Sequence, residues 1–230
     1  MTLRYAPRKG DSPAAHVNWL ELDRSPHAVH FYANEDFLVD SLSRFVGTAL
    51  EAGDSSFVFA TPAHLDGLAE QLKAQGVDAD GAAKKGRYRT FDAAQALAQL
   101  SVGGDLNRSA FDEFVNGVVL PLKAAAERTP KRVAACGEIV ALLWAEGKPD
   151  AAIALEHLWN ELSKQGGFSF RCFYPIACFS DRGQSDLFLK LCAEHASCIP
   201  DESRWAASAV EEFHPNLAAR VREFETPMTA

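Results

Sequence analysis

The chain has 230 residues, 47% hydrophobic and 23% charged, which is enough for one large α/β domain or two small ones with a substantial core. Its net charge of -8 argues against a protein that tracks nucleic-acid phosphates, because such proteins carry clustered lysine and arginine. No apolar run approaches the roughly 18 residues of a membrane span, and the amino-terminal stretch lacks the apolar part of a signal peptide. We therefore expect a cytoplasmic domain with no direct nucleic-acid or membrane contact.

The five cysteines lie mostly inside apolar runs, which favours buried, reduced thiols over a disulfide framework. A metal site could be considered because cysteines occur in two pairs with a spacing of six residues. The pairs are Cys172 with Cys178, and Cys192 with Cys198, and His195 lies between the latter two. Zinc ligands usually pair at the shorter CxxC-type spacing, however. A helix would also turn Cys198 away from the face that Cys192 and His195 share. We therefore predict neither a metal site nor a cofactor.

Taken in chain order, residues 1–25 lack periodicity and predict a flexible amino-terminal arm, followed by an ordered domain over residues 26–200. Short apolar or aromatic runs predict strands at Ala28–Tyr32, Phe57–Ala60, Arg87–Phe91, Val133–Cys136, Phe168–Tyr174 and Ala177–Phe179. Apolar residues at helical spacing predict helices at 34–53, 61–76, 92–100, 109–122, 150–164 and 184–196. Residues 201–230 are expected to add a helical extension.

Several local signals set the expected boundaries of these elements. Asn34, Thr61 and Ser109 are predicted N-caps, because their side chains accept hydrogen bonds from free backbone N–H groups. Pro121 should kink its helix or end it early, since proline lacks the backbone N–H. The polar, glycine-rich segment 101–109 is expected to be a loop and a candidate flexible lid.

Strands that alternate with helices predict an α/β fold with a mostly parallel central sheet flanked by helices. The segment from Val133 to Tyr174 reads as a strand, a helix and a strand, the pattern of a parallel βαβ crossover. In such a sheet the carboxyl ends of the strands share one edge, where ligands usually bind. On that edge we expect Tyr32–Glu35, Thr61–His64, Phe91, Asp92, Gly137, Glu138 and Tyr174.

The sequence gives little support to nucleotide hydrolysis. The phosphate-loop pattern GxxxxGKS/T is absent, since the one Gly-Lys pair, Gly147-Lys148, is followed by Pro149. Where such a loop would lie, after the first strand, the segment YANED is acidic and lacks glycine. Covalent catalysis is not expected either, because the sequence places no histidine near Cys136. We therefore expect a protein that is not an enzyme.

Several motifs, in their order and spacing, resemble one known family. They are HAVHFYANEDFLVDSL, FVFATPAH, GEIVALLWAEGKPDAAIALEHLWNEL and FRCFY. The chain resembles the MEDS domain, the methanogen/methylotroph, DcmR sensory domain, over roughly His27 to Leu191. The resemblance implies a sensor with a RecA- or KaiC-like three-layer core that has lost its phosphate loop.

The family occurs beside DNA-binding, histidine-kinase or anti-sigma modules, so the resemblance implies a regulatory protein partner such as a histidine kinase or an anti-sigma or sigma-type factor. This chain shows no recognisable output domain of that kind, which leaves open whether it signals alone, through a partner or through its own carboxyl-terminal helix. RecA-like relatives often assemble, which would favour a homodimer.

Several of the candidate site residues have an alternative interpretation as purely structural residues. His30, Phe31 and Tyr32 could form an aromatic wall with a titratable group, or simply a buried strand. Glu138 could face a ligand or serve only as a helix-start carboxylate. The candidate ligand-binding residues are His30, Phe31, Tyr32, Glu35, Thr61, His64, Glu138, Trp144, Glu156, Trp159, Asn160 and Tyr174.

Three hypotheses for the function stay open at this point. The first is a sensory domain for signal transduction that binds a small organic ligand at the strand carboxyl ends and relays to a regulatory partner. The second is a protein–protein interaction module with no ligand. The third is a divergent nucleotide-binding enzyme, a hypothesis that bound ATP would support.

Overall fold

The structure is a computed structural model, and it describes residues 26–179 and 185–199. The strands are β1 (His27–Tyr32), β2 (Ser55–Ala60), β3 (Tyr88–Asp92), β4 (Ser101–Val102), β5 (Asp105–Leu106), β6 (Val133–Gly137), β7 (Phe168–Pro175) and β8 (Ser197–Ile199). The helices are α1 (Glu35–Glu51), α2 (Pro62–Ala74), α3 (Ala79–Lys84), α4 (Ala93–Gln99), α5 (Arg108–Phe114), α6 (Leu120–Ala125), α7 (Ile139–Ala145), α8 (Pro149–Ser163) and α9 (Ser185–Ala193). The predicted arm and the predicted carboxyl-terminal extension lie outside the described residues.

Six of the strands form one sheet in the order β3-β2-β6-β7-β1-β8. Every neighbouring pair in this sheet is parallel. Helices α1 and α2 pack together on one face, while α7 and α8 pack on the other. This is a three-layer α/β fold, which confirms the predicted fold class. None of the helices that the structure describes combines the length and the apolar character needed to span a bilayer.

Alternating side chains of the strands fill two separate cores, one on each face of the sheet. On β1, Val29 and Phe31 belong to the core beneath α7, α8 and α9, and Tyr32 belongs to the core beneath α1 and α2. Both faces of the central strands are covered, so these strands are buried along their length. This burial explains why they read as continuous apolar runs in the sequence.

The central unit that the sequence singled out is a parallel crossover, with β6 and β7 paired directly from Val133 opposite Phe168 to Gly137 opposite Cys172. Two helices connect these strands, where the sequence had suggested one. The chain turns between α7 and α8 at Gly147, whose φ is +74°, and Pro149 starts α8.

Cap predictions are confirmed at two of three positions. The side chains of Asn34 and Thr61 accept hydrogen bonds from the first turns of α1 and α2. The prediction for Ser109 is wrong, because Asn107 caps α5 two residues earlier through its side-chain oxygen and Ala110 N–H. Asparagine and serine are comparable caps, so residue type alone does not choose between these two positions.

Other boundaries differ from the prediction in ways that have physical causes. Ala177–Phe179 is part of a 3₁₀ helix, not a strand, and β8 was missed because only three residues pair with β1. The candidate lid forms the small β4-β5 hairpin, with Gly103 and Gly104 at positive φ in its turn. Near Pro121 the helix passes through a π-helical segment, Val115–Val119, before α6 begins. A widened turn is one way to accommodate a missing N–H.

Candidate functional site

The edge at the strand carboxyl ends is shaped by Gly137, the last residue of β6. Its φ of +149° favours glycine, and a methyl group there would lie 1.9 Å from the carbonyl oxygen of Phe59 on β2. This close approach lets the Glu138 N–H donate to the same carbonyl over 2.9 Å. The backbone turn at Gly137 thus holds Glu138 at the edge of the sheet.

Glu138 is the centre of a group of side chains that we call the Glu138 cluster (Tyr32, Thr61, His64 and Glu138). The Tyr32 hydroxyl donates to Oε1 over 2.9 Å, and the ring N–H of His64 at Nδ1 donates to Oε2 over 2.7 Å. The Thr61 backbone N–H lies 3.4 Å from Oε2. Because Glu138 is 4% exposed, these donors supply the hydrogen bonds that a buried carboxylate requires.

Solvent approaches this cluster from the side of His64 and Glu35. The His64 side chain is 12% exposed, that of Glu35 is 81% exposed, and His64 Nε2 lies 4.0 Å from Glu35 Oε2. With Nδ1 donating to Glu138, a neutral His64 ring keeps Nε2 as an acceptor on this outer side. Burial, together with the charge of Glu138, raises the pKa of Tyr32, so its hydroxyl stays a donor.

Two neighbouring residues of the predicted site lie away from this opening. His30 is buried on the same face of the sheet as Tyr32, with its ring stacked on Phe173 at a centroid distance of 4.9 Å. Phe31 faces the opposite core and packs against Phe188 at 5.3 Å. Both therefore contribute to the packing of the two cores.

The two predicted tryptophans lie in the core beneath α7 and α8. Trp144 packs against Phe179 at 4.8 Å, and Trp159 packs against Phe111 at 4.7 Å. A cavity of about 20 Å³ lies beside Trp159, with room for about one water molecule. Its walls are Phe57, Phe59, Ala135, Cys136, Gly137, Ile139, Trp159, Phe170, Arg171 and Cys172. The structure thus separates the two predicted tryptophans from the Glu138 cluster.

A second buried glutamate, Glu156 on α8, is the centre of the Glu156 cluster (His27, Glu156, Cys172, Tyr174 and His195). The Tyr174 hydroxyl donates to Oε1 over 2.9 Å, and the Cys172 thiol donates to Oε2 over 3.0 Å. Nε2 of His27 and Nε2 of His195 lie 3.1 Å and 3.4 Å from Oε2. The cluster therefore joins β1, β7, α8 and the segment after α9.

The charges in the Glu156 cluster are strongly coupled. Burial alone would raise the pKa of Glu156, but the charge of His195 and hydrogen bonding with the two histidines outweigh it and hold that pKa below its usual value. Burial lowers the pKa of His27, and the charge of His195 lowers it further. Burial also opposes protonation of His195, yet the Glu156 charge raises its pKa. The arrangement favours a carboxylate paired with an imidazolium at position 195.

Two of the predicted residues, Glu156 and Tyr174, therefore belong to this interior cluster. Asn160 borders it, because its side-chain amide donates to the backbone oxygen of Glu194, next to His195. His27, Cys172 and His195 were not among the predicted ligand-binding residues. Side chains alternate between the two faces of a strand, so the sequence could have predicted the face of β1 on which His27 lies. It could likewise have predicted that Cys172 and Tyr174 share one face of β7. Their meeting depends on strand order, which this alternation does not give.

The interior cluster also has the composition of a metal centre. His27, Glu156, Cys172 and His195 each offer one ligating atom, and these four atoms lie within 4.8 Å of one another. All five cysteines of the chain are within the described residues, and each is a free thiol.

Comparison with known proteins identifies the family. A family model described as the methanogen/methylotroph, DcmR sensory domain (MEDS) matches residues 26–190. The chain belongs to the MEDS family. Its role is therefore sensory, as the resemblance implied, and the match begins one residue before β1 and ends within α9. No curated protein matches the chain.

Proposed function

We propose that this MEDS domain senses a small organic molecule at the Glu138 cluster and relays its binding to a regulatory protein partner. The observation that carries the proposal is the convergence of donors from the ends of β1 and β2 on the single buried carboxylate of Glu138. At the carboxyl edge of a parallel sheet, such convergent polar groups are typical of ligand sites.

The chemistry of the opening points to a ligand that donates hydrogen bonds. The carboxylates of Glu35 and Glu138 lie on either side of the His64 ring, and carboxylate oxygens accept hydrogen bonds without donating any. A small molecule with a hydroxyl or amino group would satisfy these acceptors, whereas an anionic ligand would meet two like charges. This preference also argues against a polyphosphate at the same edge.

Binding at this point would act on the layer formed by α1 and α2. Glu35 is the first residue of α1, and His64 lies in the first turn of α2. A ligand that bridges them would change how these two packed helices sit against each other. The surface of this layer would then present the signal to a histidine kinase or to an anti-sigma or sigma-type factor.

A thermal-shift screen of small alcohols, amines, aldehydes, carboxylic acids and ATP tests the proposal. A ligand at 100 times its Kd adds about 2.7 kcal/mol. For a domain of this size that corresponds to a rise in Tm of roughly 5–10 °C. We expect such a rise with a hydroxyl or amino compound for the wild type, and its loss in Glu138→Gln. Glu70→Gln, an exposed change on α2, is the matched control and should keep the shift.

The other two hypotheses give different results in the same screen. An interaction module without a ligand would show no shift with any compound, and a nucleotide-binding enzyme would respond to ATP. A compound that stabilises Glu138→Gln as much as the wild type would bind elsewhere and would contradict the site.

A further inference from the structure

The geometry points to a metal site in the Glu156 cluster, in which His27, Glu156, Cys172 and His195 bind one divalent cation of the zinc class. This inference concerns the interior of the domain and goes beyond the proposed ligand site at Glu138. Imidazole, thiolate and carboxylate are the ligands that zinc takes in proteins, and four of them make a closed tetrahedral site.

The distances between the ligating atoms are close to those that such a site requires. Zinc bonds of about 2.0–2.3 Å at tetrahedral angles would put neighbouring ligand atoms roughly 3.3–3.6 Å apart. From Glu156 Oε2, the distances are 3.1 Å to His27 Nε2, 3.0 Å to Cys172 Sγ and 3.4 Å to His195 Nε2. His27 Nε2 lies 3.4 Å from Cys172 Sγ. Shifts of a few tenths of an ångström at these four contacts would accommodate the ion, together with an approach of His195 to His27 and Cys172, whose ligating atoms lie within 4.8 Å of it.

Neighbouring groups orient the ligands as they do around known metal centres. His195 Nδ1 donates to the carbonyl oxygen of Leu191 over 2.8 Å, which turns Nε2 toward Glu156. The Tyr174 hydroxyl binds Glu156 Oε1 and leaves Oε2 to the cluster. Metal-binding histidines usually donate their second ring nitrogen to a carbonyl or carboxylate, and ligating carboxylates are hydrogen-bonded in turn.

His195 gives a second, independent indication. Its buried Nε2 makes at most a poor hydrogen bond, since it lies 3.4 Å from Glu156 Oε2 and has no other partner among the described residues. With no ion present this contact needs a proton on Nε2, because a ring that is protonated only at Nδ1 would point a lone pair at the carboxylate oxygen. A cation between the two atoms would take the place of that proton and bind both atoms, and the protons of His195 Nε2 and of the Cys172 thiol would leave to solvent.

The position of the cluster suggests what the ion does. Its four ligands come from the start of β1, from β7, from α8 and from the segment between α9 and β8, so the ion would hold the end of the described chain against the sheet. Four protein ligands leave no open coordination position, and this favours a structural role over a catalytic one. Because all four residues are buried, the ion would enter during folding.

Cobalt substitution in the full chain tests the site directly. The protein is unfolded with a chelator present, freed of metal, and refolded with Co²⁺ or Zn²⁺. We expect one equivalent of bound Co²⁺, with a thiolate-to-cobalt charge-transfer band and the intense visible bands of a tetrahedral ion. Cys172→Ser should lose the charge-transfer band, and Cys178→Ser should keep it. Failure of the wild type to bind Co²⁺, or an unchanged band in Cys172→Ser, overturns the proposal.

A measurement on the wild type covers the case in which Cys172→Ser does not fold. X-ray absorption at the zinc edge of the refolded, Zn²⁺-loaded protein should show one sulfur and three nitrogen or oxygen ligands. No sulfur, or two or more, would place the ion elsewhere and reject this ligand set. Neither experiment depends on whether an organic ligand binds at Glu138.

Discussion

The Glu138 cluster and the Glu156 cluster use the same chemical groups in two different surroundings. In each, a tyrosine hydroxyl donates to Oε1 over 2.9 Å and an imidazole lies against Oε2, at 2.7 Å for His64 and 3.1 Å for His27. Glu138 lies at the edge of the sheet beside exposed Glu35, whereas Glu156 lies on the buried face of α8 with 0% exposure. The interior cluster adds a thiol and a second imidazole.

This difference teaches that surroundings, more than residue types, decide what a carboxylate can do. Water or a ligand can replace the His64 donor on Glu138, because one side of that ring meets solvent. Nothing can replace the donors of Glu156 without displacing α8, so its partners are permanent in the folded state. An exchangeable carboxylate suits sensing, and a permanent one suits a structural ion.

The largest expected effect is a difference in the stability lost when each of the two glutamates is replaced by alanine. Glu156→Ala removes the partner of two buried imidazoles and should cost about 3–5 kcal/mol of unfolding free energy. Glu138→Ala should cost about 1–2 kcal/mol, since water can then solvate His64 and Tyr32. Urea unfolding of the two variants gives both values. Equal losses would show that water reaches the Glu138 cluster no better than it reaches the Glu156 cluster.

A smaller effect on stability is expected from a change in the backbone turn at Gly137, which positions Glu138 but not Glu156. Gly137→Ala should destabilise the domain by about 3 kcal/mol, because a methyl group would meet the Phe59 carbonyl oxygen at 1.9 Å and the φ of +149° would be strained. Gly117→Ala is the control: no atom lies within 4 Å of the added methyl, and it should gain up to about 1 kcal/mol. Circular dichroism melts of both variants measure the difference. A neutral Gly137→Ala would mean that the turn can relax.

Much of the fold could be predicted because its signals are local. Asn34 and Thr61 mark the starts of their helices, because their side chains cap backbone N–H groups within three residues. Strands that are covered on both faces, such as β2, appear in the sequence as apolar runs. The Glu138 cluster could be anticipated in part, since parallel strands bring their carboxyl ends to one edge and Tyr32, Thr61, His64 and Glu138 all follow strands or end them.

The Glu156 cluster could not be predicted, because it depends on which strands are neighbours. His27 and Cys172 are 145 residues apart and meet only because β1 lies next to β7, which chain order does not reveal. His195 joins them through β8, a strand of three residues that has almost no sequence signal. Trp159 was among the predicted ligand-binding residues because sequence spacing does not show how deeply a side chain is buried. A tryptophan beside a carboxylate and an amide on a helix has the same spacing whether it lines a cleft or fills a core.

The smallest expected effect compares the two tyrosines, which make hydrogen bonds of equal length to their glutamates. Tyr174→Phe should cost about 1.5–3 kcal/mol, because Glu156 Oε1 loses its donor where water cannot replace it. Tyr32→Phe should cost about 1 kcal/mol or less, since water can reach Glu138 from the edge of the sheet. Tyr88→Phe, at a hydroxyl with no hydrogen bond among the described residues, controls for the loss of the oxygen itself. Urea unfolding gives the three losses from the midpoints, provided that the slopes are equal. If Tyr32→Phe lost as much stability as Tyr174→Phe, no water would have taken the place of the missing Tyr32 hydroxyl. That result would contradict the exchangeable character of the Glu138 cluster.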